Sequence, residues 1–225
     1  MGIIEMPYAW GARDQAFAAL DGDLGDALEE MLDAKGIKVL GWWENGFRNI
    51  TNSVRPIEKP ADLDGIKIRV TPDKVRLATF EGLGAEPAPL SFGELYSALQ
   101  QGVFDAQENP LAIIYSSSFF EVQKYVSMSE HIWGAATLTM SNATWNKISP
   151  EDQAIVTEAA TSWGAQQRDM VAAANAELVA QLEAKGMIFN EVDKAAFIEA
   201  VAPIWEDQKD VYGEDLLAIL NTYRK

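Results

Sequence analysis

Three places along the chain carry side chains suited to holding a small anion. Arg48 follows the apolar run that ends at Trp43, Arg69 lies near the close of Gly65-Ile-Lys-Ile-Arg-Val70, and Gln107, Glu108 and Asn109 follow Asp105. A guanidinium offers two parallel N–H donors that match a carboxylate, and an Asn amide adds a donor from the side. The charge distribution points the same way. Residues Gly36 to Arg76 hold eight basic and five acidic side chains, whereas the rest of the chain has ten basic and 29 acidic ones, a balance of −19. Any anion is therefore captured by local field against a repelling background. A solvated strand edge is the alternative reading of the same charges. Glu94, Asp105 and Glu108 are the residues from which an acid/base pair would be drawn, a weak signal in so acidic a chain.

Other chemistries are excluded by what is missing. The 225 residues contain no Cys and a single His131, so there is no thiolate nucleophile, no Cys-ligated metal and no multi-His site. His131 has no Ser or acidic partner at a recognisable spacing and reads as a packed histidine. No Gly-x-Ser-x-Gly, His-Glu-x-x-His, phosphate-loop or dinucleotide pattern occurs, so no cofactor is expected. A formal charge of −16 repels nucleic acid and acidic lipid surfaces alike. The apolar runs fall far short of the ~20 residues that span a bilayer. The opening Met1-Gly-Ile-Ile-Glu-Met-Pro7 has no basic segment followed by an apolar one, so any export signal is expected to be absent from this chain.

The elements that must position these residues alternate between helix and strand. Phe17, Leu20, Leu24, Leu28 and Met31 predict a helix over about 14–35, stopped by Gly36, and Ile37 to Trp43 reads as a buried strand bounded by Asn45-Gly46. The run Gly65–Val70 is a second strand, after which Thr71-Pro72-Asp73 offers an N-cap and a first-position proline. Ser91-Phe92-Gly93-Glu94 is a capping-box pattern opening a helix that Gly102 closes. Val103–Asp105 reads as a short strand, Asn109-Pro110 as a third helix start, and Tyr125–Met128, Ala135–Met140 and Met187–Phe189 as further strands. From Ser149-Pro150 helical composition runs to Lys185, about 54 Å at 1.5 Å per residue, with Ile155, Ala159, Trp163, Met170, Ala174, Leu178 and Leu182 expected on its buried face. Gly164 near its middle is read either as easing a bend or as merely tolerated. Helices around 195–201 and 204–221 complete the pattern. In open α/β sheets a ligand crevice lies beyond the carboxyl ends of the strands, where the three anion-suited groups fall. Phe92 is either core or the apolar wall of such a crevice.

Four ordered motifs carry a resemblance. They are Asn45-Gly46-Phe47-Arg48-x-x-Thr51-Asn52, Asp64-Gly65-x-Lys67-Ile68-Arg69-Val70, Leu90-Ser91-Phe92-x-Glu94-x-Tyr96-x-Ala98-Leu99-Gln100 and Asp105-Ala106-Gln107-Glu108-Asn109-Pro110. Together they resemble the DctP-type substrate-binding proteins of tripartite ATP-independent periplasmic (TRAP) transporters, from about Met6-Pro7-Tyr8 to the C-terminus. The resemblance implies an α/β fold of the periplasmic binding protein type II kind, two lobes with a cleft between them, crossed by a long helix at about 150–185. By motif position Arg69 resembles the arginine that grips the ligand carboxylate, Arg48 a second ligand arginine, Asn109 the amide on the same anion and Phe92 the aromatic wall. Trp43 and Glu44 are carried as pocket residues near the lobe crossover. Lobe I is expected from 1–46 and 135–174, lobe II from 47–134 and 175–225. Family members begin with a signal peptide and several strand–helix units ahead of the Met6-Pro7-Tyr8 segment, so lobe I is expected to be N-terminally incomplete here.

The expected function is a non-catalytic, periplasmic solute-binding protein that captures a small organic acid and delivers it to TRAP permease subunits, with no metal, cofactor or nucleic acid. The alternatives are an enzyme of small organic acids and a ligand-sensing module.

Overall fold

Two long antiparallel strands organise the molecule, a computed structural model that describes residues 2–224. β1 (Ile37–Asn52) and β5 (Tyr125–Ser141) pair along nearly their whole length. On one side β4 (Ala106–Asn109) joins β1 antiparallel, followed by β2 (Lys67–Val70) and β3 (Glu86–Pro89) in parallel; on the other, β6 (Ile188–Glu191) lies parallel to β5. The six-stranded order is β3-β2-β4-β1-β5-β6.

Helices cover the sheet in two apolar clusters. The larger gathers α1 (Arg13–Leu20), α2 (Asp23–Asp33), α3 (Lys74–Gly82), α8 (Lys194–Asp207) and α10 (Glu214–Tyr223) onto Ile50, Ile68 and Val70. The smaller packs α4 (Phe92–Gln100), α5 (Leu111–Ser116) and the C-terminal third of α7 (Pro150–Ala184) onto Val126. Short α6 (Asn142–Trp145) and α9 (Lys209–Tyr212) are connectors. Ser149 caps α7 by accepting from Asp152 N, and its 35 residues span about 52 Å. Among the described residues no helix is long and apolar enough to cross a membrane.

Several elements differ from the sequence expectation. The helix over 14–35 is broken into α1 and α2, because the chain turns back so closely that a Cβ on Gly25 would lie 1.9 Å from Leu20 O. Asn45-Gly46 does not end β1; Gly46, at φ +106°, sits in one of three register shifts that let the long strand continue. The two strands expected at 125–128 and 135–140 are one. The 103–105 strand forms instead at 106–109, since Val103 N closes the end of α4 on Ala98 O. Asp73 caps α3 in place of Thr71, accepting from Arg76 N, and Pro110 takes the N-cap position of α5, which leaves Asn109 in the strand. The single helix expected over 204–221 is interrupted at Gln208 and Gly213.

The buried face of α7 also differs. Ile155, Trp163 and Met170 are 58%, 59% and 67% exposed, while Ala160, Gly164, Leu178 and Leu182 are buried. Gly164 faces inward because Trp43 packs on it. A Cβ at Gly164 would lie 2.8 Å from Trp43 Nε1. That close approach, more than a bend, is what the glycine serves.

Candidate functional site

Strand alternation divides the polar residues between the two faces of the sheet. In β4, Ala106 and Glu108 share the face of Ile50 and Ile68, while Gln107 and Asn109 share that of Arg69 and Thr51. All of these side chains are buried.

On the first face Glu108 is a fully buried carboxylate ringed by cations. Arg48 grips it through Nε and through Nη2, the latter 2.8 Å from Oε1. His131 Nε2 lies 3.2 Å from Oε2 and Arg76 Nη1 3.7 Å from Oε1. Burial alone would raise the Glu108 pKa, but Arg48, the His131 hydrogen bond and Arg76 outweigh it and hold the carboxyl well below the usual carboxylate range. Burial lowers the His131 pKa, so its ring is neutral. With Glu108 ionised the ring donates from Nε2, and Nδ1 accepts from Ser129 Oγ at 2.8 Å. Arg76 has its own carboxylate, Glu5, at 2.6 Å, and a second acceptor in Thr71 Oγ1 at 2.9 Å.

On the other face Arg69 stands apart. Its Nε and Nη2 both donate to Leu90 O, at 2.9 and 2.7 Å, which fixes the plane of the guanidinium. Nη1 is buried and has no hydrogen-bond partner. Among the three clustered arginines it is the one without a carboxylate. Burial lowers its pKa, the field of Glu108 raises it, and Arg48 and Arg76 lower it further. An arginine stays protonated nonetheless, so a buried donor on a fixed cation is left wanting an acceptor. The Phe92 ring lies 5.9 Å from the guanidinium carbon and is 48% exposed.

Asn109 belongs to a relay. Arg48 Nη2 donates to Asn109 Oδ1 (2.9 Å), Asn109 Nδ2 to Gln107 Oε1 (2.5 Å), Gln107 Nε2 to Thr51 Oγ1 (2.7 Å) and Thr51 Oγ1 to Gln123 Oε1 (2.9 Å). Gln123 Nε2 then donates to backbone carbonyls, including Asp105 O at 3.2 Å and Val122 O at 3.0 Å.

The structure thus places Arg69 and Asn109 near the ends of β2 and β4 and Phe92 at the start of α4, whereas Arg48 lies inside β1, which continues to Asn52, and not beyond a strand's carboxyl end as expected. Trp43 and Glu44 lie elsewhere. Glu44 takes two hydrogen bonds from Arg13, at 3.1 and 2.7 Å, and one from Trp133 Nε1 at 3.3 Å, while Trp43 sits against Gly164. A concavity of about 470 Å³ between α1–α2, β1 and α7 is lined by Trp43 but not by Arg69, Asn109 or Phe92. The anion-suited residues form a buried donor cluster. Arg76, Glu5 and Gln123 were not singled out as site residues by the sequence reading, and Thr51 entered it only as a position of the first motif; of the others only Arg76, in the basic stretch and three residues after the Asp73 cap, carried a signal. The three carboxylates considered as bases are engaged: Glu108 as above, Asp105 by Lys67 N at 3.0 Å, and Glu94 by the Ser91 hydroxyl.

Comparison with known proteins decides the family. Residues 1–210 match DctP, the bacterial extracellular solute-binding protein family 7. The chain belongs to this family. It is 36% identical over 221 residues to the 2,3-diketo-L-gulonate-binding periplasmic protein YiaO of Escherichia coli, covering 96% of this chain and 67% of that one. It is 33% identical to the sialic acid-binding periplasmic protein SiaP of Vibrio cholerae, covering 96% and 68%. A TRAP periplasmic solute-binding protein of a Polaromonas species, bound to D-erythronate, superposes with a TM-score of 0.93 at 37% identity, over 97% of this chain and 73% of that one. One from a Sulfitobacter species with β-D-galacturonate gives 0.94 at 32% identity, over 99% and 74%. The DctP-family chain spans 64% of a solute-binding protein of Verminephrobacter eiseniae and 60% of another from Roseobacter denitrificans, so more than a third of those relatives' length is not matched by it.

Proposed function

We propose that this chain is the anion-gripping part of a periplasmic solute-binding protein that captures a small organic acid by its carboxylate and passes it to TRAP-type permease subunits, without chemical change. The observation that carries the reading is Arg69, a fixed guanidinium whose Nη1 has no partner and whose neighbours Arg48 and Arg76 each have a carboxylate already. A ligand carboxylate supplies the missing acceptor, and the relatives named above bind, by their names, diketogulonate, sialic acid, erythronate and galacturonate, all organic acids. Asn109 adds its amide from the side, Arg48 sets that amide's orientation, and Phe92 forms an apolar wall. In this reading Trp43 and Glu44 serve the α7 crossing, and lobes of 1–46 with 135–174 and 47–134 with 175–225 approach each other when ligand binds. Closure is favoured by whatever affinity the closed form has over the open one.

Calorimetry of the 225-residue chain with D-galacturonate, D-erythronate and succinate, against uncharged D-galactose, tests this. The expected result is saturable binding of at least one acid, none of galactose, and acid recovered unaltered. Equal binding of galactose, no binding of any acid, or turnover of the acid refutes it.

A further inference from the structure

The hydrogen-bond relay behind Asn109 is fixed at both ends. At the near end Arg48 carries only donors. At the far end Gln123 Nε2 faces three oxygens: Ser53 Oγ at 3.2 Å, Asp105 O at 3.2 Å and Val122 O at 3.0 Å. Two of these are backbone carbonyls, which only accept. Ser53 gives its one hydroxyl proton to Val122 O at 2.9 Å, so towards Gln123 it is an acceptor as well. The Gln123 amide therefore has a single orientation, with Oε1 turned to the Thr51 hydroxyl. Thr51 spends its only proton on that oxygen, which leaves its own lone pairs for Gln107 Nε2. The order imposed from Gln123 thus arrives at Gln107 Oε1, the atom that receives Asn109 Nδ2, and agrees with the order imposed from Arg48.

The fold has little use for these polar groups. Thr51, Gln107 and Gln123 are all buried, and Val126, the register partner of Thr51 on β5, belongs to the smaller apolar cluster. A buried hydrogen bond gains little net stability, and apolar side chains of matching shape fill such positions at small cost. What a line of amides supplies and apolar groups do not is orientation. The group oriented is the Asn109 amide. Gln107 pairs with Arg69 across β4 and β2, and Asn109 stands two residues further along β4 on the same face, about 6.6 Å at 3.3 Å per residue.

We propose that Thr51, Gln107 and Gln123 are positioning residues for acid capture, which hold the Asn109 amide as a fixed donor beside Arg69 without touching the acid themselves. The proposal rests on the reading of Arg69 and Asn109 as the grip on the ligand carboxylate, and adds to that grip a buried support reaching from β4 through β1 to the residue two places ahead of β5.

Thr51→Val tests it, since Thr51 makes no hydrogen bond to Asn109 and the change removes the hydroxyl with little change of shape. Calorimetry with D-galacturonate and D-erythronate, on protein that still unfolds cooperatively, is expected to give a Kd about three- to tenfold weaker than the parent's, the worth of one neutral hydrogen bond. Thr51→Ser restores the hydroxyl and is expected to recover the parent Kd. Gln123→Met removes the far anchor and is expected to weaken binding in the same direction. A second readout needs no ligand: the side-chain amide resonances of Asn109 are expected to move in Thr51→Val and Gln123→Met and to return in Thr51→Ser. A merely structural role lowers the Tm of these variants and leaves both the Kd and the Asn109 resonances where they were, which overturns the proposal. So does a loss of affinity in Thr51→Val that Thr51→Ser does not recover. If the parent binds neither acid, the reading of Arg69 falls and this proposal with it; if the parent binds and Thr51→Val binds equally well, only the positioning role falls.

Discussion

Glu108→Gln is the perturbation that most directly probes the buried charge cluster. It keeps the shape of the side chain and one acceptor oxygen but removes the charge that compensates Arg48, whose side chain is 3% exposed against 0% for Glu108. Removing one partner of a buried pair costs about 3–5 kcal/mol, because the other charge stays desolvated and unpaired. For a chain of this length each kcal/mol lowers Tm by about 2–4 °C, so the loss is roughly 6–20 °C. Urea unfolding at pH 7, followed by circular dichroism with m held in common, measures it. The double variant Arg48→Met/Glu108→Leu removes both charges and is expected to be clearly more stable than Glu108→Gln, since a well-packed apolar pair escapes the desolvation cost. The reasoning also fixes a pH dependence. The folded pKa of Glu108 lies below its ordinary 4.5, so the unfolded chain takes the proton first. The stability it contributes is complete above about pH 4.5 and is lost as the pH falls below that, and Glu108→Gln should flatten this acid limb. A Glu108→Gln protein within about 1 kcal/mol of the parent, with the acid limb unchanged, would refute the account of Glu108 as counter-ion to Arg48.

The other expectations are briefer. Arg69→Ala should weaken acid binding by about 2–5 kcal/mol, and Arg69→Lys by an intermediate amount because the charge survives without the fork; calorimetry on both separates geometry from charge. Burial holds the folded His131 pKa below its ordinary 6.5, so the unfolded chain is protonated first and stability declines as the pH drops from about 6.5; His131→Phe should remove that slope from thermal scans taken between pH 7 and 5. Gly164→Leu should destabilise by about 1–3 kcal/mol against the Trp43 ring, while Gly93→Ala, with nothing within 4 Å of the added Cβ, should gain about 0.5–1 kcal/mol, both by chemical denaturation.

How far the sequence reading reached follows from the range of the interactions involved. Capping at Ser149 and the stop at Gly36 are local events, and α7 and the start of β1 are where the residues predict them. The break between α1 and α2 was not legible because it depends on Gly25 meeting Leu20 O, a contact that the helical periodicity of Leu20, Leu24 and Leu28 conceals. Fusion of 125–128 with 135–140 depends on pairing with β1 some 90 residues away, which no local pattern encodes. In the site, the motifs singled out Arg48, Arg69 and Asn109. Their differing circumstances come from tertiary partners such as Glu5 and Gln123, which carry no sequence signature. His131 was read as a packed histidine without a Ser or acidic partner; it is packed, but Ser129, two residues before it, and Glu108, from a strand two places away in the sheet, both partner its ring.

The amide relay from Arg48 to Gln123 has a directional consequence. A guanidinium has no acceptor atom, so it commands the oxygen of Asn109, and each later group inherits its polarity in turn down to the Gln123 amide. Rotating the Asn109 amide by half a turn would set donor against donor at Arg48 and acceptor against acceptor at Gln107. Whatever approaches the second Nδ2 hydrogen therefore meets a one-way valve that admits an oxygen lone pair and rebuffs a hydroxyl proton.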